Sequence, residues 1–283
     1  MTMQLGDLEV DAVSGGRLWI DGGNIFGVVP KVLWQKQSAP DDRNRIELET
    51  NCLLVRTETA TVLIDTGYGS KATDRQRDNH AMEDGKPLVE NLSRIGIEPA
   101  DVDMVILTHL HFDHAGGSTF IDGSGTPRPT FPRARYVVQR REWEDATADL
   151  PELSGAYFNR DFVPFDQDGQ LELIDGEVDL MPGISTRLTG GHTRGHQIIL
   201  LGSGDQRAVC PADLCPTTAH LPTFWTTSYD QFLLTLRRIK PDVLGEAADN
   251  NWLVLFGHDP LVKAAYLNRD DKRQFVVREQ VTL

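Results

Sequence analysis

Within six residues this chain places three histidines and a carboxylate: His109, His111, Asp113 and His114, in the stretch 108–117. Imidazole and carboxylate together suit zinc or iron, and the added negative charge suits a hydrolytic site. The spacing divides the four. On an extended chain residues i and i+2 point to the same side, so His109 and His111 can grip one ion together. Asp113 and His114 then face elsewhere, toward a second position. The whole chain has only eight histidines, so three in one loop is more than a solvated surface loop needs.

The elements that must hold these residues come next. Residues 104–107, Met-Val-Ile-Leu, read as a short buried strand that delivers the ligands at its end, and Gly116-Gly117 lets the chain turn away. Upstream, 45–56 and 61–64 read as adjacent strands, the second ending in Asp65-Thr66-Gly67. Asp65 is either a turn-capping aspartate or a carboxylate that orients a metal-bound histidine. Downstream, a glycine-rich stretch, 189–197, carries His192 and His196 before a strong strand at 198–201. A further strand ends in Cys210-Pro211-Ala212-Asp213, and a buried strand at 252–256 ends in Gly257-His258-Asp259.

Between these points the pattern is less specific. Segments 8–13 and 18–20 read as strands joined by a hairpin signal, Ser14-Gly15-Gly16. Residues 25–34 are apolar and aromatic, either a core strand or packed loop, or a pocket wall or dimer contact. His80 falls in a polar stretch and reads as solvent-exposed. Residues 87–95 have helical spacing with Gly96 as a stop. A strand at 136–138 and a helix at 141–150 follow. Tyr157, Phe158, Phe162 and Phe165 crowd an irregular stretch that reads as a cap over a pocket or as core. Strands are expected at 171–174, 184–188 and 274–282, and a helix at 228–239. Strand pairs followed by a helix, twice, with ligands at strand ends, predict an α/β fold: a four-layer αββα sandwich. No linker is evident, so 1–283 reads as one domain.

Bulk properties exclude several function classes. The 283 residues carry 42 acidic against 28 basic side chains, a net charge of −14 that disfavours nucleic acid and anionic membrane surfaces as partners. Three cysteines, Cys52, Cys210 and Cys215, are too few and odd in number for a disulfide framework, which fits a reducing compartment. The N-terminus shows no basic and apolar leader pattern and no apolar run is long enough to span a bilayer, so a cytoplasmic location is expected.

The form His109-x-His111-x-Asp113-His114, with His192, Asp213 and His258 following in order, resembles the metallo-β-lactamase superfamily. Within it the chain is most similar to the quorum-quenching N-acyl-homoserine lactonases and related hydrolases, through residues 21–31, 109–117 and 213–230. The resemblance implies two divalent metal ions, zinc above all, with iron, manganese or cobalt as alternatives. His109, His111 and His192 would hold one ion, Asp113, His114 and His258 the other, and Asp213 would bridge them. Asp65 and His196 would support the ligands. The family's Thr-Pro-Gly-His-Thr-Pro-Gly-His segment reads Thr-Gly-Gly-His-Thr-Arg-Gly-His here, which predicts a looser loop. Ala212 stands where relatives often have glycine.

The activity implied is hydrolysis of a small-molecule lactone, with a metal-bridging hydroxide attacking the carbonyl and Asp213 relaying a proton. Tyr229 and His220 are candidate donors to the carbonyl oxygen, or else packing residues. Phe26, Trp34, Phe224 and Trp225 are candidate pocket-lining residues, and a homodimer is a possible assembly. A promiscuous carboxylesterase or an organophosphate (phosphotriester) hydrolase on the same dinuclear site is the near alternative. An iron redox protein would call for a partner domain that the sequence lacks, and a dead scaffold would have lost ligands that are all here.

Overall fold

The computed structural model describes residues 2–153, 155 and 157–283. The first half of the chain supplies β1 (Met3–Leu5), β2 (Leu8–Asp21), β3 (Arg45–Arg56), β4 (Thr61–Ile64), β5 (Met104–Ile106), a small hairpin of β6 (Thr119–Ile121) and β7 (Pro127–Pro129), β8 (Arg135–Gln139) and β9 (Leu171–Ile174). The second half supplies β10 (Val178–Met181), β11 (Ile184–Leu188), β12 (Gln197–Ser203), β13 (Gln206–Cys210), β14 (Leu253–Leu255), β15 (Ala264–Asp270) and β16 (Gln274–Val281). One seven-stranded sheet has the order β1-β2-β3-β4-β5-β8-β9 and the other runs β10 to β16 in sequence.

The central strands are near-continuous apolar runs whose successive side chains point to opposite sides, so each sheet has two buried faces. The inner faces meet in one cluster that includes Val55, Ile64, Ile106 and Val137 from the first sheet and Ile199, Leu201, Leu253 and Leu255 from the second. Outside the first sheet, Leu54, Leu63 and Val105 pack against Leu88, Leu92, Phe162 and Phe165. Outside the second, Ile198, Val209 and Val254 pack against Leu236, Val243, Leu244 and Ala247 of the helix Leu233–Asp249. The layering is therefore the expected αββα sandwich.

Three local expectations are corrected. Residues 8–20 form one continuous strand, β2, and the Ser14-Gly15-Gly16 signal is a bulge opposite β3. Gly16 takes a φ of 111°, and a Cβ there would lie 2.2 Å from the Tyr68 hydroxyl oxygen. Residues 25–34 hold no strand: Gly22–Phe26 and Lys31–Trp34 are short helices, the first capped by Asp21 accepting from the Gly23 and Asn24 amides at 2.8 and 3.2 Å. A helix was expected at 228–239, but it starts at Leu233 and runs through Pro241 to Asp249. Burial of its apolar face against the second sheet outweighs a proline penalty of about 3 kcal/mol.

What matters for the site is direction. β4 and β5 are parallel, as are β5 and β8, and β13 and β14. Parallel neighbours end together, so the loops after β4, β5, β8, β13 and β14 emerge at one edge of the sandwich. Gln197, the first residue of β12, ties the two sheets together at that edge. Its amide donates to Thr108 O at 2.9 Å and its Nε2 to Leu107 O at 2.8 Å. Among the described residues no helix is long and apolar enough to cross a membrane.

Candidate metal centre

Seven predicted ligands converge at this edge. His109, His111, Asp113 and His114 leave β5; His192 lies between β11 and β12; Asp213 follows β13; His258 follows β14. Their donor atoms fall into three close sets: His109 with His111 and His192, His109 with His114 and Asp213, and Asp113 with His114 and His258. Asp213 spans the sets. Its Oδ1 lies 3.3 Å from His114 Nε2 and 3.2 Å from His258 Nε2, and its Oδ2 lies 3.2 Å from His192 Nε2.

Hydrogen bonds on the far side of each ring fix which nitrogen is bare. Asp65 is the hub. It accepts from the Thr108 amide at 2.8 Å, from Thr108 Oγ1 at 2.9 Å and from His114 Nδ1 at 2.8 Å. Because Thr108 spends its hydroxyl proton on Asp65, His109 Nδ1 donates to Thr108 Oγ1 at 3.1 Å. His192 Nδ1 donates to Asp230 at 2.7 Å, and His258 Nδ1 to the Glu49 carbonyl at 3.2 Å. In the neutral tautomers that these bonds select, four rings present their Nε2 atoms to one space. His258 Nε2 and His114 Nε2 face each other at 2.9 Å, and His192 Nε2 and His111 Nδ1 at 3.0 Å. Lone pairs that close repel unless a cation or a proton lies between them. Among the described residues the buried His109 Nε2 and Asp213 Oδ1 also have no hydrogen-bond partner. This donor set fits divalent cations of borderline character.

The electrostatics divide the rings into two pairs. Burial and the neighbouring imidazoles hold His109 and His111 well below the usual imidazole range. At His114 burial acts in the same direction, but Asp213, Asp65 and Asp113 outweigh it and raise the ring well above that range. His192 is raised likewise, against burial, by Asp213 and Asp230. Asp213 stays ionised despite burial, because His114, His192 and His258 stabilise its charge.

His196 supports the site from behind. Its Nε2 accepts from the Asp213 amide at 3.2 Å, and its Nδ1 donates to Thr189 Oγ1 at 2.7 Å. Burial lowers its pKa to about 3, so the ring is neutral, as these two bonds require. The residue before Asp213 is strained: Ala212 has φ 44°, a left-handed conformation in which glycine fits and alanine does not rest easily. Asp65 shares that feature, with φ 56°.

The loop around His192 is not loose, contrary to expectation. Thr193 Oγ1 donates to Glu142 at 2.5 Å, and Arg194 pairs with Asp145 and Glu144 at 2.6 and 3.1 Å. Glu142 is buried and also accepts from the Leu110 amide at 2.9 Å, so it binds the His109–His114 loop to the His192 loop. Gly195 crosses directly over it, where a Cβ would lie 2.2 Å from the Glu142 amide nitrogen. Glu142, Thr108 and Asp230 carry no distinctive local pattern, and sequence reading missed all three. Asn51 is a fourth: its Nδ2 donates to Phe256 O and Asp259 O at 3.0 and 2.9 Å and so holds the turn bearing His258.

Several expected site residues lie elsewhere. His220 is fully buried, its ring stacked on Phe26, with Nδ1 bonded to Thr217 Oγ1 at 2.7 Å and Nε2 to Ile25 O at 3.0 Å. With both nitrogens engaged it is no donor to a substrate carbonyl. Phe26 and Trp34 are buried against each other in a satellite core with Leu18, Ile46 and Leu48. Trp225 packs edge-on to Phe26, and with the exposed Phe224 lines an outer groove of about 860 Å³ bordered by Lys36, Lys272 and Arg273. The four aromatics therefore do not line the metal centre. Tyr229 does stand near it: its phenol is partly exposed, close to Asn24 and Asp113. The rings beside the candidate ligands are Tyr157, 5.3 Å from His111, and His80 and Phe158, which meet Phe112 stacked and edge-on respectively. His80 is half-buried rather than solvent-exposed.

Residues 45–245 match the sequence pattern of the metallo-beta-lactamase superfamily. An N-acyl homoserine lactonase from a Bacillus species is 30% identical over 229 residues, spanning 76% of this chain and 82% of that protein. The corresponding Bacillus cereus lactonase is 27% identical over 230 residues, spanning 76% and 83%. Among solved structures, a probable metal-dependent hydrolase from Staphylococcus aureus superposes with a TM-score of 0.89 at 32% identity, covering 99% of this chain and 100% of that one. The dizinc quorum-quenching lactonase AidC superposes with a TM-score of 0.82 at 20% identity, covering 100% and 98%, a likeness of fold.

Proposed function

This chain belongs to the metallo-beta-lactamase superfamily, and from that premise we propose that it is a metal-dependent hydrolase that opens the lactone ring of N-acyl-homoserine lactones. The observation that carries the reading is the convergence of bare imidazole nitrogens, each with its tautomer fixed from behind, on the single carboxylate of Asp213. The similarity to N-acyl homoserine lactonases supports the substrate class.

In this reading His109, His111 and His192 would hold one divalent ion, Asp113, His114 and His258 would hold a second, and Asp213 would serve both. Zinc is the favoured identity, supported by the His/Asp donor set. Ions bound there would acidify water and polarise an ester carbonyl. The chain's own residues supply the rest. Asp213, kept ionised by the surrounding imidazoles, can accept a proton from the attacking water and pass it to the leaving oxygen. Tyr229 keeps its phenolic proton, because burial raises its pKa, and at the mouth it can donate a hydrogen bond to the substrate oxygen on which charge develops. Asp65 and Asp230 hold the imidazole rings at fixed angles, so no reorganisation is required during the reaction. Three buried free cysteines support a reducing, cytoplasmic setting.

The test is a rate panel with purified, metal-replete protein on homoserine lactones of varied acyl length, aryl esters and phosphotriesters. Homoserine lactones are expected to give the highest kcat/KM. Absence of turnover on every homoserine lactone would overturn the reading, and preference for phosphotriesters would move it to the alternative hydrolase.

A further inference from the structure

A buried ion pair that takes no part in ligation lies beside the metal loop. Lys71 and Asp161, each more than nine-tenths buried, meet at 3.1 Å. Lys71 Nζ also donates to the Thr119 carbonyl at 2.5 Å and to the carbonyl of Gly116, two residues past His114. The Asp161 amide donates to Phe158 O at 2.7 Å, and Thr119 Oγ1 donates to Arg160 O at 2.6 Å. One ammonium thus joins three stretches: the chain that follows Asp65, the exit of the metal loop, and the segment 157–161. That segment presents Tyr157 to His111 and Phe158 to Phe112, with ring centroids 5.3 and 6.5 Å apart. A cavity of about 90 Å³ lies among Lys71, His80, Phe112, Phe158 and Asp161.

A charged pair is a poor choice here if filling space is all that is needed. Apolar residues of equal volume commonly serve stability as well or better, because both ions lose their hydration. Burial indeed works against charge on both partners, lowering the pKa of Lys71 and raising that of Asp161. What the pair supplies, and an apolar plug would not, is direction: three acceptors at set points around one nitrogen.

We propose that Lys71, with Asp161, is a positioning pair that latches the aromatic segment 157–161 across the metal loop, making Tyr157 and Phe158 a wall against which substrate is held. The substrate part rests on the function proposed above; the latch does not.

The experiment compares Lys71→Met, Asp161→Asn, Lys71→Arg and the double variant Lys71→Met/Asp161→Leu. Steady-state kinetics on N-hexanoyl-homoserine lactone, bound metal, and hydrogen exchange of the 157–161 amides are measured on each. Lys71→Met and Asp161→Asn are expected to raise KM about tenfold while kcat stays within about threefold and metal content is unchanged. Their 157–161 amides are expected to exchange about tenfold faster. Lys71→Arg should recover most of the lost affinity, and the apolar double variant should recover stability without recovering KM or slow exchange. Unchanged exchange at 157–161 in folded, metal-loaded Lys71→Met would overturn the latch, as would full recovery of KM and exchange by the double variant. Should Lys71→Met not fold, Asp161→Asn and Lys71→Arg give the same comparison. Should the wild type open no lactone, the proposed function fails, and the exchange data still decide the latch.

Discussion

Asp230 Oδ1 accepts from His192 Nδ1 at 2.7 Å while its other oxygen accepts from the Thr227 amide at 2.8 Å. The carboxylate is thus pinned before it orients the imidazole, and it also keeps the proton on Nδ1 so that Nε2 is free. Replacing it leaves the ring to rotate and to take the wrong tautomer. Asp230→Ala is expected to weaken metal binding by about 10- to 100-fold, with Asp230→Asn between that and the parent. Competition against a chromophoric chelator measures this; an unchanged dissociation constant would remove Asp230 from the site.

Removal of a ligand should be far more severe. Asp213 lies within 3.3 Å of three imidazoles, and His109 belongs to two of the three donor sets. His109→Ala and Asp213→Ala are each expected to lower lactone hydrolysis by at least about 10³-fold, the scale on which loss of a principal electrostatic group acts. Full turnover by either variant in metal-replete form would refute the assignment.

Ala212 offers a gain instead of a loss. Its left-handed backbone, φ 44°, is strained for any residue with a Cβ. Ala212→Gly relieves that strain, partly offset by the greater freedom of glycine in the unfolded chain, and is expected to stabilise by about 0.5–1 kcal/mol. Urea denaturation at fixed metal concentration would register it as a higher midpoint with unchanged slope. A lower midpoint would mean that the Ala212 methyl makes packing contacts worth more than the strain.

Acid should unfold the protein earlier than its carboxylates alone predict. Burial lowers His220 to about 4, whereas in the unfolded chain it titrates near the ordinary imidazole value of about 6.5. A depressed pKa contributes stability that is fully present above about 6.5 and is lost as pH falls toward 4, because the unfolded state takes the proton first. The slope is about 1.4 kcal/mol per pH unit in that window. His220→Gln is expected to be less stable at pH 7 and to show a shallower decline between pH 6.5 and 4. Parallel declines in the two proteins would place His220 outside this linkage.

The clustering of the candidate ligands was legible because they are rare residues at strand ends, and strand ends follow from runs such as 104–107 and 252–256. The sandwich followed from the same periodicity. What failed had physical causes. Phe26, Trp34, Phe224 and Trp225 read as pocket residues because exposed and buried aromatics look alike in a sequence; Phe26 and Trp34 fill a satellite core, and the other two border an outer groove. His220 looked catalytic beside Asp213 in the chain, yet its partners are Thr217 and the Ile25 carbonyl. Glu142, Asp230 and Lys71 were invisible because their partners lie 32 to 90 residues away, and ordinary charged residues give no sign of being buried. The helix expected at 228–239 runs on through Pro241, because packing on the second sheet carries it to Asp249.

The candidate ligands come from both sheets: His109, His111, Asp113 and His114 from the first, His192, Asp213 and His258 from the second. A cation held by them is therefore a fastener across the seam of the sandwich, and its binding adds to the free energy of keeping the halves together by RT ln(1 + [metal]/Kd). The survival time of a metal-loaded protein in a cell would then follow the free-metal level. Scarcity would shorten its life by proteolysis as well as silence it, and a cell could adjust the amount of enzyme by metal supply without touching transcription.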